Sequence, residues 1–353
     1  LFTLNTLGWN DSFWPDRNGA SSDLIPARVV EEQRELYLIH SPRGEAWASL
    51  AGKLRNEPGE LGFPGVGDWV LARHAPRDER AMIVRVLPRR SCFSRAAPLT
   101  GAQQIIAANI DVALVVAALG GDFNVRRIER YIAAVWESGA RPVVVLTKCD
   151  LHENVDDFVS EVEGVAPGVR IVRTSAIHHV GIESVSKQIG ERQTAVIVGS
   201  SGTGKSTLIN ALLGSDVQEV FEVGSVKDKG RHTTTARKLF LLPSGGIIID
   251  TPGMRELQFY DVDEGLSVTF EDVERLVTAC KFTDCQHRTE PGCAVREALD
   301  DGTLDRGRWA SYQKLQREAA YQQRENDVHA QRKERERWKK IAVNNRKHPK
   351  LRF

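Results

Sequence analysis

The run Gly199-Ser200-Ser201-Gly202-Thr203-Gly204-Lys205-Ser206-Thr207 sets three glycines and a Lys-Ser pair at the spacing of a loop that wraps phosphate. Without side chains at Gly199, Gly202 and Gly204, successive backbone N–H groups can converge on phosphate oxygens at the positive end of a following helix. Lys205 then reaches the β and γ phosphates, and the Ser206 hydroxyl serves Mg²⁺. Asp250-Thr251-Pro252-Gly253 adds a carboxylate, Asp250, suited to a place just outside the Mg²⁺ ligands, and a backbone N–H, that of Gly253, for the γ phosphate. Between them lies Gly230-Arg231-His232-Thr233-Thr234-Thr235, which reads either as a solvated polar loop or as a segment whose threonine closes over the metal. Thr233 and Thr234 are the candidates for that role.

Thr147-Lys148-Cys149-Asp150 offers a carboxylate, Asp150, that can accept from guanine N1 and N2, which adenine cannot satisfy. Lys148 is expected to lie along the base and tie this loop to the phosphate loop. Thr147 stands where many guanine-nucleotide sites carry asparagine, at the loss of one polar contact. Thr174-Ser175-Ala176 can present a backbone N–H to guanine O6, with Ser175 and Ala176 as its candidates. Each short run is weak alone. Together they form a guanine-nucleotide site in cyclically shifted order, because the base reader precedes the phosphate loop. An ATP-using P-loop protein such as a kinase is opposed by Asp150. An RNA-binding module that holds nucleotide only for structure is opposed by the complete phosphate loop.

A second constellation, Cys280, Cys285, His287 and Cys293, has the spacing Cys-x4-Cys-x-His-x5-Cys. Three thiolates and an imidazole suit one tetrahedral, structural Zn²⁺, with Pro291-Gly292 turning the chain back for the last ligand. Disulfides are the competing explanation; no secretory segment favours them, and the other thiols, Cys92 and Cys149, are isolated.

These loops need strands and helices to hold them. Thr194–Val198 reads as a strand and Lys205–Leu213 as a helix, which is the context the phosphate loop requires. Arg141–Leu146, Ile171–Arg173 and Gly246–Ile249 are further strands. Ala108–Leu119 is read as the first strand of this α/β unit and Arg126–Ser138 as a helix. Upstream, Ala27–Val30, Leu36–Ile39, Ala46–Leu50, Asp68–Ala72 and Met82–Leu87 are five short strands, enough for a small oligonucleotide/oligosaccharide-binding barrel. Arg28, Lys53, Arg55, Arg73, Arg85, Arg89 and Arg90 are expected to give it a positive surface.

The 353 residues are 41% hydrophobic and nearly neutral at +1, which allows two or three domains. From Arg306 to Phe353 there are 15 Lys or Arg against 5 Asp or Glu, net +10, and the remainder is 33 against 42, net −9. Trp309, Tyr312, Leu315 and Ala319 keep helical spacing in that segment, with Arg317, Arg324, Arg332, Lys333, Arg335, Arg337, Lys339 and Lys340 elsewhere. The tail reads as a footprint for phosphate backbones or as a solvated charged helix. No membrane span or signal peptide is visible, so the cytoplasm is the expected compartment, and a start at Leu1 reads as a trimmed terminus.

The whole set resembles the ribosome small subunit-dependent GTPase A family, known as RsgA, YjeQ or EngC. The resemblance runs from Leu7-Gly8-Trp9-Asn10 and Gly67-Asp68 through the permuted motifs to Glu290-Pro291-Gly292-Cys293-Ala294-Val295 and the basic tail. It implies a multidomain protein: an N-terminal extension (1–26), an OB-fold β-barrel (27–97), a circularly permuted α/β P-loop GTPase domain (98–262) and an α-helical zinc-binding domain with the basic tail (263–353). It further implies a monomer that hydrolyses GTP to GDP and phosphate with Mg²⁺, binds the 30S ribosomal subunit and 16S rRNA, and acts late in 30S maturation. Met254 stands where Ras-like enzymes carry a water-orienting glutamine, so the isolated protein is expected to turn over slowly. The 30S subunit is expected to stimulate it, with His232 as a candidate for orienting water. Because the Asp250 strand leads to Cys280 only 30 residues on, nucleotide state is expected to tilt the zinc domain and drive release.

Overall fold

The structure, a computed structural model, describes residues 3–15, 23–33, 36–57, 62–74, 80–96, 103–214, 237–251 and 263–321. The segment around His232, Thr233 and Thr234, the residues Pro252, Gly253 and Met254, and the tail beyond residue 321 lie outside these.

Five strands form the N-terminal barrel: β1 (Leu24–Gln33), β2 (Leu36–Ser41), β3 (Gly44–Leu50), β4 (Trp69–His74) and β5 (Ala81–Val86). Their order is β1-β2-β3-β5-β4, and a β1–β4 pairing closes the ring. A short helix, α1 (Gly52–Asn56), follows β3. Alternation of large apolar and smaller or polar residues sends Tyr37, Ile39, Val70 and Ile83 into one core, as period-2 patterning requires. β1 does double duty: Leu24–Arg28 pair with β4, while Glu31 and Glu32 pair with Lys238 and Arg237 of a later strand. A bulge between Val29 and Glu31 marks the change of partner.

The α/β unit contains β8 (Val112–Ala118), β9 (Arg141–Thr147), β10 (Arg170–Arg173), β11 (Thr194–Val198), β12 (Arg237–Leu241) and β13 (Ile247–Asp250). The order is β10-β9-β8-β11-β13-β12, parallel except for β12. The near-continuous apolar strands are covered on both faces. Helices α2 (Val125–Glu137) and α3 (Val155–Val165) lie with one apolar cluster, and α4 (Ile182–Gln188) and α5 (Lys205–Leu213) with the other.

Ala108–Leu119, expected as one strand, holds β8 over Val112–Ala118, while Ala108 ends the strand before it. A hairpin of β6 (Cys92–Ala96) and β7 (Gln103–Ala108) precedes a corner at Asn109, whose φ of 54° breaks the extended run before β8 begins. Asn109 is held there because its side chain accepts from Arg90 N at 3.1 Å and donates to Gly67 O at 3.2 Å.

Helices Asp263–Thr269, Glu271–Thr278, Ala294–Asp300 and a helix over 306–321 pack on the α2 side of the sheet. Tyr312, Leu315 and Ala319 face inward, as their spacing implies, and Trp309 is half-buried. Arg308 is 4% exposed and joins this layer to α2 and α3. It donates to Glu129 Oε1 (2.7 Å), Asp272 Oδ1 and Oδ2 (2.7 Å each), Thr269 O (2.9 Å) and Val165 O (3.1 Å). Among the described residues no helix is long and apolar enough to cross a membrane.

The expected positive barrel surface is only partly there. Lys53, Arg55, Arg73, Arg85 and Arg90 are exposed, but Arg89 forms a two-point pair with the fully buried Asp68 (2.7 Å), and Arg28 is 1% exposed. Arg28 donates to the backbone carbonyls of Leu7, Gly67 and Asn109 and to Thr194 Oγ1 at 2.7 Å, over the Trp69 ring. Burial lowers its pKa to about 10, with Asp111 and Asp68 opposing the fall, so it stays charged at neutral pH. One buried guanidinium thus ties the N-terminal extension, the barrel and β11 together.

Replacing it with Met leaves several buried acceptors without a donor. Arg28→Met should lower unfolding free energy in urea by about 3 kcal/mol, while Lys53→Ala on the exposed barrel face changes it by less than about 0.5 kcal/mol.

Candidate functional site

β9, β10 and β11 are parallel strands of one sheet, so their carboxyl ends open on the same edge, where such sheets bind ligands. That edge carries Thr147–Asp150, Thr174–Ala176 and Gly199–Ser206.

The phosphate loop leaves β11 at Gly199, where φ is 151° and an added Cβ would sit 2.3 Å from Val116 O. Only glycine lets the loop pass so close to β8. Thr203 Oγ1 donates to Ser200 O at 2.9 Å, and the Lys205 ammonium donates to Gly199 O at 2.8 Å and to Ser200 O. Ser206 and Thr207 are exposed in the first turn of α5. Gly202 and Gly204 take φ values of 80° and 85°. Asp250 ends β13, the parallel neighbour of β11. Burial raises its pKa, and the nearby Lys205 opposes that shift. Thr251 Oγ1 donates to Ile197 O at 3.4 Å, holding the start of the Asp250 turn against β11.

At the base end, Thr174 N donates to Leu146 O (2.7 Å) and Cys149 N to Thr174 O (3.2 Å), which locks the two base loops side by side. A hydrogen bond from the Ser175 side chain, aided by His178 and His152, holds the Asp150 carboxyl below the usual carboxylate range. Asp150 is therefore a charged acceptor held by Ser175. Base loop and phosphate loop are joined at Thr147: its buried hydroxyl donates to Thr203 O at 2.7 Å, while Lys148, expected to tie the loops, is exposed with φ 60°. Thr147 thus does structural work that the sequence reading counted as a loss. Ala176 is half-buried beside Ser175.

Cys280, Cys285, His287 and Cys293 bring their ligand atoms within 4.8 Å of one another. A tetrahedral Zn²⁺ with ordinary bond lengths needs sulfur–sulfur separations of about 3.8 Å and sulfur–nitrogen separations of about 3.5 Å. Cys280 Sγ lies 3.9 Å from Cys293 Sγ, and both lie 3.5 Å from His287 Nδ1. The donor set and spacing fit one structural zinc ion with all four positions filled by protein. Cys293 also caps the helix Ala294–Asp300 by accepting from Arg296 N, and His287 packs edge-on against Trp309 at 5.3 Å. The zinc site therefore anchors two of the C-terminal helices.

Sequence reasoning missed Arg127, whose Nη1 donates to Ser200 Oγ at 2.6 Å, and the Arg308 hub. Neither has a local motif; each gains its partner from a distant segment.

Two measurements check this geometry. Thr147→Val keeps the volume but removes the bond to Thr203, and should weaken nucleotide binding about tenfold by calorimetry with little change in fold. Metal analysis should find one zinc per chain, and its removal by chelator, or Cys285→Ser, should cost several kcal/mol and melt the helices around Trp309, read from the loss of helical circular dichroism.

The RsgA GTPase family model matches residues 86–260. The chain is 46% identical over 351 residues to the small ribosomal subunit biogenesis GTPase RsgA of Opitutus terrae, covering 96% of each chain. It is 45% identical over 331 residues to RsgA 1 of Oceanobacillus iheyensis, covering 92% of this chain and 93% of that one. The crystal structure of YjeQ from Thermotoga maritima superposes with a TM-score of 0.61 at 26% identity, over 84% of this chain and 99% of that chain. YloQ, a circularly permuted GTPase, shares the fold with a TM-score of 0.59 at 23% identity, over 86% of this chain and 98% of that chain. With its permuted strand order, its joined phosphate and base loops and these relatives, the chain belongs to the RsgA GTPase family.

Proposed function

We propose that this protein binds and hydrolyses GTP during biogenesis of the small ribosomal subunit, engaging the 30S particle through its 16S rRNA. The observation that carries the nucleotide reading is the Thr147–Thr203 hydrogen bond, which makes one site of two loops 56 residues apart. Biogenesis of the small subunit is the role named for relatives that align with nearly all of this chain. The division into residues 1–26, 27–97, 98–262 and 263–353 is part of the same reading.

In this reading the backbone N–H groups of Gly199–Ser206 cradle the phosphates, with Thr207 following in the helix, and Lys205 turns from its loop carbonyls to the β and γ oxygens. Ser206 would hold Mg²⁺, with Asp250 beside it; the ion would neutralise charge on the β and γ phosphates. Asp150 accepts from the guanine N1 and N2 hydrogens, and the loop at Ser175 and Ala176 offers N–H to O6. Lys148 would lie along the base. Gly253 would approach the γ phosphate, and Thr233 or Thr234 would close over the metal. No glutamine follows Gly253; Met254 cannot orient water, so the subunit supplies what the isolated chain lacks. His232 is the candidate it would order.

Turnover should be slow alone and rise by about two or more decades with 30S subunits, but not with 50S subunits. Lys205→Ala should abolish turnover and keep subunit binding; loss of subunit binding with nucleotide binding intact would contradict the assignment. If His232→Ala leaves stimulated hydrolysis unchanged, the histidine has no part in orienting water.

A further inference from the structure

Helix α2 touches the phosphate loop from outside it, at a residue that no sequence motif of the site includes. Asn124 caps the helix by accepting from Arg127 N at 3.0 Å, which fixes where the Arg127 side chain starts. From there Arg127 Nη1 donates to Ser200 Oγ at 2.6 Å and to Asp122 Oδ1 at 3.0 Å. Ser200 is consequently held at its carbonyl and at its hydroxyl. Its carbonyl accepts from Thr203 Oγ1 and from Lys205, and its hydroxyl accepts from Arg127.

The base of this contact is firm. On the same stretch of α2, Arg126 pairs with Asp305, just before the last C-terminal helix, and the buried Glu129 with Arg308 and Arg130 with Glu318 at 3.1 Å, both on that helix. A guanidinium donates in fixed directions, so it can clamp a hydroxyl where a lysine would wander. The Arg127 side chain is 39% exposed, which screens the interaction and keeps its effect moderate.

We propose that Arg127 is a positioning residue of the nucleotide site: it acts through the Ser200 hydroxyl to hold the phosphate loop in its binding shape before nucleotide arrives. The inference rests on the guanine-nucleotide reading of that loop. Pre-ordering a loop lowers the cost of binding without favouring the transition state. Its removal therefore weakens GDP and GTP alike and leaves the chemical step nearly untouched.

The test is a double-mutant cycle on the full chain, with GDP and GTP affinities measured by calorimetry and turnover measured at saturating GTP with 30S subunits. Arg127→Ala and Ser200→Ala should each weaken both nucleotides about 5–10-fold, and the double variant should be no weaker than either. Turnover of Arg127→Ala at saturation should stay within about twofold of the unaltered protein, and Arg127→Lys, which keeps a cationic donor, should recover part of the loss in affinity. Urea midpoints followed in parallel separate this from a folding defect; if Arg127→Ala unfolds early, Arg127→Lys and Ser200→Ala carry the comparison. Unchanged affinity in Arg127→Ala overturns the inference, and so does a double variant whose loss is the product of the single losses. If the unaltered protein binds no guanine nucleotide, the reading of the site fails instead.

Discussion

The nucleotide site depends on one geometric constraint: β9, β10 and β11 run parallel, so loops from different parts of the chain emerge on one edge of one sheet. The hydrogen bond from the Thr147 hydroxyl to the Thr203 carbonyl then fixes base end to phosphate end. Circular permutation moves the chain ends and leaves these strand neighbours in place. What it changes is what the sheet is attached to. β13, which ends in Asp250, is followed in sequence by the C-terminal helices, and β8 is preceded by the barrel and the β6–β7 hairpin.

Two buried arginines hold those attachments. Arg28 gathers carbonyls from the N-terminal extension and from the turns at Gly67 and Asn109, and reaches Thr194 at the start of the strand that feeds the phosphate loop. Arg308 gathers Glu129, Asp272 and two backbone carbonyls where the C-terminal helices meet α2 and α3. A buried guanidinium costs much to desolvate and is stable only when its donors are met, so each such contact sets a definite orientation as well as holding parts together. Gly67 shows how tight the first junction is: with φ at 91°, an added Cβ would stand 2.2 Å from Ala108 O. The barrel and the sheet also share hydrogen bonds through β1 and β12, which makes their strands one continuous sheet.

Much of this was legible in the sequence because it is local. The phosphate loop with its strand and helix, the Cys-x4-Cys-x-His-x5-Cys spacing and the five barrel strands are set by neighbours within a few residues, and the helix Lys205–Leu213 ends where the reading placed it. The misses are of another kind. Arg28 and Arg89 look like surface charges until partners far along the chain are known; Arg28 meets Thr194 across 166 positions, and Arg308 meets Glu129 across 179. The apolar run through Ala108 gave no sign of its corner, because the left-handed conformation of Asn109 is stabilised by Arg90 and Gly67 rather than by its own neighbours. Thr147 reads locally as a weakened base reader, because its bond is to a loop that sequence alone does not place beside it.

The central claim, that Asp150 and the phosphate loop serve one guanine nucleotide, is tested most directly by exchanging the base reader's chemistry. Asparagine at this position presents a donor toward C2 of the base, which suits the carbonyl of xanthine and not the amino group of guanine. Competition of GTP and XTP against a labelled nucleotide should show Asp150→Asn losing GTP by about 100-fold and gaining XTP, with both lost when Lys205→Ala is added. Undiminished GTP binding by Asp150→Asn would show that the carboxylate does not read the base, and that the two loops do not form a single site.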